Sequence, residues 1–173
     1  MPAEVILFTV NTKYKKEVKT VSPIDFSKHD YQSELDQLRI RFGFDFAGLA
    51  LPTEDHVGMK IKWRYVSGNL NNRYQRIVLR NGRGIAGTVM KTGKPMTIAN
   101  TDRDEIQQSL FNFPILLSEQ LTALIAIPLW HNHRVKGVLL FGQRNGKSLP
   151  NETHDAIKVE EIGALTSEDK VIL

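Results

Sequence analysis

The chain is organised around residues 82–95, which are Gly82-Arg83-Gly84-Ile85-Ala86-Gly87-Thr88-Val89-Met90-Lys91-Thr92-Gly93-Lys94-Pro95. Three glycines fall within the first six residues, and a short helix-forming run follows before Gly93 and Pro95. Glycine supplies positive φ and lets backbone or ligand approach closely, whereas a glycine and then a proline typically end a helix. The stretch therefore predicts a tight loop, the start of a short helix and a glycine C-cap.

The start of this predicted helix has the chemistry of a small-anion site. A helix that begins on glycines offers bare N–H groups and the positive end of its dipole. The pattern is not a phosphate loop, because no Gly-Lys-Ser/Thr follows the glycines, and it lacks the strand and downstream acid of a dinucleotide fingerprint. From spacing alone a tight loop with a short core helix is the simpler interpretation, and an anion site is the alternative.

Length and composition indicate one ordinary globular domain. The chain has 173 residues, of which 41% are hydrophobic and 24% charged, enough for a real core. It has no apolar run of membrane-spanning length, and residues 5–10 are too short for a signal-peptide core, so we expect a cytoplasmic protein without a membrane partner. The absence of cysteine excludes disulfides, thiol catalysis, thiolate metal sites and covalent bilins. A net charge of +4 permits an acidic partner or nucleic acid but does not argue for either.

A helix-start signal at Ser22-Pro23 separates an amino-terminal segment from the rest of the chain. Residues 1–22 are interpreted as an N-terminal extension, with a candidate strand at 4–10 and a lysine-rich patch after it, and residues 23–173 as a single domain. Ser22-Pro23 begins an amphipathic helix that Gly43 ends. Its apolar positions recur at helical spacing, at Tyr31, Leu35, Leu38 and Phe42. This stripe suits packing on a sheet or against a second copy of the chain, which leaves a homodimer open.

Several segments have the patterns of strands. We expect a strand at 44–51, a polar turn at 52–58 and a strand at 59–66. Period two puts Met59, Ile61, Trp63 and Tyr65 on one apolar face and three cations on the other, as suits an edge strand. Residues 73–80 fit helix or strand equally, and a short strand at 96–99 follows the glycine loop. The two longest apolar runs, 122–130 and 134–143, predict a buried hairpin with its turn at 131–133.

Further helices complete the pattern. Asn100-Thr101-Asp102 caps a helix whose apolar side carries Ile106, Leu110 and Phe111, and residues 151–167 predict a terminal helix. Pro114 suits the first position of another helix, where its missing N–H costs nothing. Ile115 would then lie in the first turn with a free N–H, a second potential anion donor. The order of elements predicts an α+β fold with a five- or six-stranded antiparallel sheet flanked by helices.

No catalytic constellation is evident in the sequence. His131 and His133 are two apart on a turn, which is not the spacing of a metal site. Ser118-Glu119 lacks a nucleophile elbow and a Ser/His/Asp order, and no acid–base dyad stands out. We therefore predict no catalytic residues, no metal and no enzyme activity. Trp63 could form an apolar wall beside the anion donors, although a plain core tryptophan is the simpler interpretation.

Two segments resemble the GAF domain family. They are the glycine loop, 82–87, with 92–95 behind it, and the final hairpin, 124–129 with 136–141. The resemblance covers about residues 26–167. It implies a binding module in which an antiparallel sheet and a loop-helix side enclose a small ligand. The fold alone does not identify that ligand.

Residues 62–80 and the glycine loop are similar to the stand-alone nitrate-sensing members of this family. This similarity implies nitrate as the ligand, no cofactor, and a small, mostly apolar cavity. The ligand-binding residues that it implies are Trp63, Ile85, Ala86 and Ile115, with Gly84, Gly87 and Pro114 supporting the pocket. It further implies a signalling partner, an oxygen-sensing histidine kinase of a two-component system that controls transcription of nitrate respiration genes. Nitrate would relieve inhibition of that kinase.

Other functions of GAF domains are less compatible with this sequence. Free methionine sulfoxide reduction and covalent bilin attachment use cysteines in this family, and the chain has none. Cyclic nucleotides need a larger pocket. The remaining alternatives are a sensor of another small ligand, such as a branched-chain amino acid, and a ligand-free dimerising interaction domain. The first helix, 26–43, and the basic strand face are the expected docking surface.

Overall fold

The computed structural model describes residues 30–150. The predictions for the extension 1–22, its strand at 4–10 and the terminal helix 151–167 lie outside the described residues. The start predicted for the helix that Gly43 ends is wrong, because this helix begins at Tyr31, where the Asp30 side chain accepts from the Ser33 N–H as its N-cap. Within them the helices are α1 (Tyr31–Arg41), α2 (Gly84–Thr92), α3 (Asp104–Gln107) and α4 (Pro114–Glu119). The strands are β1 (Phe46–Asp55), β2 (Gly58–Ser67), β3 (Val78–Leu79), β4 (Met96–Ile98), β5 (Ala123–His131) and β6 (Arg134–Gln143).

The strands form one antiparallel sheet in the order β3-β2-β1-β6-β5-β4. The α+β prediction is confirmed, with the larger of the two expected strand numbers. The residues that were undecided between helix and strand divide into a 3₁₀ turn, Arg73–Arg76, and β3. The predicted hairpin joins β5 to β6 through Asn132 and His133, whose φ angles of 49° and 58° are those of a two-residue type I′ turn.

The sheet separates two apolar cores. The α2-side core contains buried residues of β2, α2 and α4, among them Ile61, Val89 and Leu116. The α1-side core contains Leu35 and Leu38 of α1, so the apolar stripe of this helix packs on the sheet. Strands β5 and β6 are buried on both faces, which accounts for their almost uninterrupted hydrophobic sequences.

The alternation predicted for β2 is wrong beyond Trp63. Leu49 of β1 pairs with Tyr65, but the next residue, Ala50, pairs with Trp63, so Arg64 is the extra residue of a β-bulge. Because a one-residue slip moves side chains to the opposite face, Trp63 and Val66 both lie in the α2-side core. Tyr65 lies on the α1 side, with its ring centroid 5.5 Å from that of Tyr31.

Three smaller predictions also need correction. The polar turn expected at 52–58 is shorter, because β1 continues through Pro52, which pairs with Ile61. Strand β6 pairs with β1 only as far as Ala50, so Pro52 lies where one side of β1 carries no neighbouring strand, as proline requires. Strand β2 is not the outermost, because β3 pairs with it. Phe111, expected on an apolar helix face, is 74% exposed in a separate 3₁₀ turn.

The glycine loop forms the predicted loop, helix and C-cap. Helix α2 begins at Gly84 and ends at Thr92, and Gly93 is its C-cap, with a left-handed φ of 64°. Only glycine fits at position 87, because the carbonyl oxygen of Arg80 lies so close that an added Cβ would be 2.2 Å from it. The N–H of Gly82 also donates to the carbonyl of Gly87 at 2.7 Å. The loop thus lies directly on the first turns of α2.

We expect Gly87→Ala to lower the free energy of unfolding by at least about 2 kcal/mol, because its methyl group collides with backbone that cannot move without displacing the loop. Urea unfolding measures the change. Lys91→Ala, on the exposed side of the same helix, is the matched control and should stay within about 0.5 kcal/mol of the unmodified protein. Equal stability of the two variants would contradict the role of this contact.

Candidate functional site

The four residues proposed from sequence to bind a ligand belong to one buried cluster. Trp63 of β2, Ile85 and Ala86 in the first turn of α2, and Ile115 in the first turn of α4 all lie in the α2-side core. None of them is more than 3% exposed. The structure therefore brings together segments that are more than 20 and almost 30 residues apart in sequence. Their role in binding stays a prediction.

Two helices begin at this core without a side-chain cap. The N-cap residues, Arg83 of α2 and Phe113 of α4, make no capping hydrogen bond through their side chains. The first N–H groups of any helix have no acceptor within the helix. In α2 these include the N–H groups of Ile85 and Ala86. In α4 the first position is Pro114, as predicted, so Ile115 carries the first N–H of that helix.

Trp63 contributes a polar atom that the sequence did not reveal. Its Nε1 is buried and has no hydrogen-bond partner among the described residues. A buried donor without a partner costs about 1–3 kcal/mol, so such a group calls for an explanation in a native structure. The indole ring lies over Gly48 of β1, where an added Cβ would be 3.0 Å from Trp63 Cε3. Trp63 is therefore a candidate hydrogen-bond donor as well as an apolar wall.

Backbone conformation and close contacts explain the residue types at the three positions expected to support the pocket, Gly84, Gly87 and Pro114. Gly84 has a φ of 66°, and a Cβ there would lie 2.8 Å from Leu79 Cδ2. Gly87 accommodates the Arg80 carbonyl, and Pro114 starts α4 with a φ already suited to a helix. These positions set where the two helices begin, and hence where their N–H groups lie.

The surroundings of this cluster are apolar. Partly buried side chains pack against it, and those that sequence reasoning did not assign to the site include Tyr74, Ile77 and Phe113. Among residues 30–150, no lysine or arginine is buried, and the buried polar or charged residues are Ser67, Thr101, Ser118, Glu119 and Gln143. An anion in this core would be neutralised by N–H groups rather than by a buried cation.

Glu119 at the end of α4 is the one charged residue that is fully buried in the described part of the chain. Its Oε2 accepts from the N–H of Leu70 at 2.8 Å and from Arg144 Nη2 at 3.0 Å. Arg144 Nε also donates to the main-chain oxygen of Glu119 at 2.7 Å. In the sequence Glu119 stands out only beside Ser118, as a catalytic candidate, because its hydrogen-bond partners are 49 and 25 residues away and no local pattern reveals them.

The pKa values of two carboxyl groups near this end of the sheet, those of Glu119 and Asp45, are shifted in opposite directions. Burial raises the pKa of Glu119, and the opposing effects of the Leu70 N–H and the Arg144 charge do not fully cancel it. At Asp45, burial alone would raise the pKa, but hydrogen bonds from Lys147 and from the Arg144 N–H, with the charges of both residues, lower it overall. The difference follows from solvent access, since Asp45 is only partly buried.

A surface groove of about 370 Å³ beside β2 is lined by Lys62, Trp63, Arg64, Tyr65, Tyr74 and Gln75. Across residues 30–150 no three His, Asp or Glu side chains are grouped as metal ligands would be. No helix in this range has both the length and the apolar character needed to cross a membrane.

The chain is similar to known proteins in sequence and in fold. A sequence model of the GAF domain matches residues 32–167. The chain is similar to a structure of NreA from Staphylococcus aureus that is mutated in its nitrate-binding site, with 53% identity and a TM-score of 0.67. That match covers 69% of this chain and 89% of NreA. A hypothetical protein from S. aureus is equally similar, with 53% identity, coverage of 69% and 97%, and a TM-score of 0.67.

More distant structures share the fold alone. One is a free methionine-R-sulfoxide reductase from Neisseria meningitidis in complex with its substrate, with 20% identity and a TM-score of 0.53. The match covers 75% of this chain and 72% of the reductase. Among curated proteins no match was found.

The raised pKa of Glu119 predicts a pH dependence of stability. Above the ordinary value of 4.5 the folded protein holds this proton more tightly than the unfolded chain does. The contribution of the group to the free energy of unfolding is therefore complete below that value and is lost as pH rises through the raised pKa. Glutamine does not ionise, so Glu119→Gln should not show this decrease in the free energy of unfolding as pH rises.

Urea unfolding between about pH 4 and pH 7 measures the effect. The difference in stability between Glu119→Gln and the unmodified protein should shift in favour of the variant as pH rises. Glu105→Gln makes the same chemical change on an exposed side chain and is the matched control. A stability difference for Glu119→Gln that is constant over this range would contradict the raised pKa.

Proposed function

The chain belongs to the GAF domain family, and we propose that it is a cytoplasmic nitrate receptor, a binding protein rather than an enzyme. Nitrate binds in the α2-side core, between Trp63 and the first turns of α2 and α4. The bound state modulates a sensor histidine kinase of a two-component system that controls nitrate respiration genes. The similarity to NreA, at 53% identity, supports the choice of nitrate.

One observation carries this proposal most directly. The buried Nε1 of Trp63 has no partner within the described residues, and it belongs to the same core as the first turns of two uncapped helices. An anion held between them would supply an acceptor for the indole and for the N–H groups of Ile85, Ala86 and Ile115. A neutral apolar ligand would leave all four donors without a partner.

The energetics suit nitrate better than divalent oxyanions. Nitrate is a planar monoanion that holds water weakly, so transfer into an apolar site costs less than for sulfate or phosphate. Micromolar affinity requires about 8 kcal/mol. Four hydrogen bonds to an anion, at about 1.5–3 kcal/mol each, supply about 6–12 kcal/mol before the entropy of binding is subtracted, a range that includes the required free energy.

Regulation of the kinase requires that nitrate favour one state of the receptor over another. In the proposed scheme the nitrate-free receptor restrains autophosphorylation of the kinase, and nitrate relieves the restraint. An assay of purified kinase with the receptor, at increasing nitrate, tests this part separately from nitrate binding itself.

Calorimetric titration with nitrate, chloride and sulfate tests the ligand. We expect saturable nitrate binding at one site per chain, and much weaker binding of the two competitors, since sulfate carries a second charge that this core does not neutralise. Protein freed of bound anion by unfolding and refolding is the starting material. Absence of nitrate binding under these conditions would contradict the proposal and favour another small ligand or a ligand-free interaction domain.

Trp63→Phe should weaken nitrate binding by about 10- to 100-fold, because it removes one hydrogen bond to the anion and keeps an aromatic ring in the core. It is a sharper test than Trp63→Ala, which empties a large buried volume and typically costs about 3–5 kcal/mol of stability. Trp130→Phe, at a partly exposed tryptophan, is the matched control. Unchanged affinity in Trp63→Phe would remove the indole N–H from the site.

A further inference from the structure

Helix α4 connects the proposed site with a different part of the surface. It has only six residues. Its first turn carries Ile115 in the α2-side core, and its last residue is the buried Glu119. Because so short a helix moves as one rigid piece, any displacement of its first turn also displaces Glu119.

Glu119 is held by both its side chain and its main chain. The carboxylate accepts from the Leu70 N–H and from Arg144, and the guanidinium of Arg144 also donates to the Glu119 carbonyl. Arg144 is in turn fixed to the start of β1, since its N–H donates to Asp45 Oδ2 at 2.9 Å. The second carboxylate oxygen, Oε1, is buried without a partner in residues 30–150. A buried carboxylate held on one oxygen depends strongly on those bonds, because removal of a partner leaves a desolvated charge.

The Leu70 N–H belongs to loop 68–72, which follows directly on the strand that carries Trp63. Gly68, Asn69 and Leu70 are exposed. A second bond joins this loop to α4, from Asn71 Nδ2 to the Ser118 carbonyl at 2.8 Å. An exposed loop is thus attached to the last two residues of the helix whose first turn lies at the proposed nitrate site.

We propose that Glu119 is a positioning residue that sets the place of α4 at the nitrate site and carries nitrate occupancy to loop 68–72. The inference rests on the proposed function. Nitrate at the first turn of α4 fixes the position of that helix. The helix in turn fixes Glu119, its last residue, and the Glu119 carboxylate accepts from the Leu70 N–H. The exposed loop is therefore more firmly ordered when nitrate is bound.

Amide hydrogen exchange of the full chain, with and without saturating nitrate, tests the coupling. Nitrate should slow exchange at Ile85, Ala86 and Ile115, and should also slow it at Leu70 and Asn71, by about fivefold or more. In Glu119→Gln, saturating nitrate should still slow exchange at Ile85 and Ala86, whereas the effect at Leu70 should fall, because a neutral amide oxygen is a weaker acceptor for its N–H than a carboxylate. The effect at Asn71 should persist in this variant, because the bond from Asn71 to the Ser118 carbonyl remains. The measured quantity is the nitrate-dependent change, which a merely stabilising residue would not alter.

Lys147→Ala is the matched control. It removes the ion pair between Lys147 Nζ and Asp45 Oδ1, 2.7 Å apart, on the exposed side of the same end of the sheet. This variant should keep the nitrate effect at Leu70 and Asn71. If Glu119→Gln does not fold, Asn71→Ala tests the link from the loop, because it removes the bond to Ser118 and should reduce the nitrate effect at Leu70.

The outcomes separate the inference from the proposed function. Slower exchange at Ile85 and Ala86 with no change at Leu70 and Asn71 in the unmodified protein would overturn the coupling and leave the nitrate receptor standing. A full effect at the loop in both Glu119→Gln and Asn71→Ala would overturn it as well. No nitrate effect at any of these amides would remove the receptor proposal and the coupling together.

Discussion

The close contact between the Arg80 carbonyl and Gly87 determines where α2 lies. Because no side chain intervenes, the loop before the helix rests on its first turns, and Ile85 and Ala86 of those turns belong to the same buried core as Trp63. The N–H groups of Ile85 and Ala86 are directed by the same packing. The position of the proposed anion donors on α2 thus depends on this contact, together with Gly84, whose left-handed φ of 66° lies at the start of the helix.

A polar function inside an apolar core is possible here because the donors are main-chain groups and one indole. Lysine or arginine would have to be desolvated, whereas helix N–H groups are already part of the fold. The described part of the chain has one fully buried charged residue, Glu119, and Arg144 forms an ion pair with it. This arrangement separates the neutral, donor-rich end of α4 from its charged end. In the proposed receptor the first end would meet the ligand and the second would connect it to the surface.

Sequence reasoning predicted the glycine loop, α2 with its C-cap, the start of α4 at Pro114 and the buried β5–β6 hairpin. All of these rest on neighbouring residues or on a simple period, so local chemistry is enough to identify them. The prediction for β2 was correct up to Trp63 and wrong at Tyr65, because a bulge depends on the register with β1. Pro52 was assigned to a turn for the same reason, since its tolerance depends on which side of β1 has no partner.

By itself, the sequence determined the order of the main elements apart from residues 73–80, the two glycine- and proline-led helix starts and the presence of an inward-facing tryptophan. Only the tertiary structure decided that these starts and Trp63 share one core, that the indole N–H is left without a partner, and that Glu119 joins Leu70 and Arg144. The physical reason is distance along the chain. Caps, turns and strand period are set within a few residues, whereas the environment of a buried polar atom is set by segments that folding brings together, here from 49 and 25 residues away.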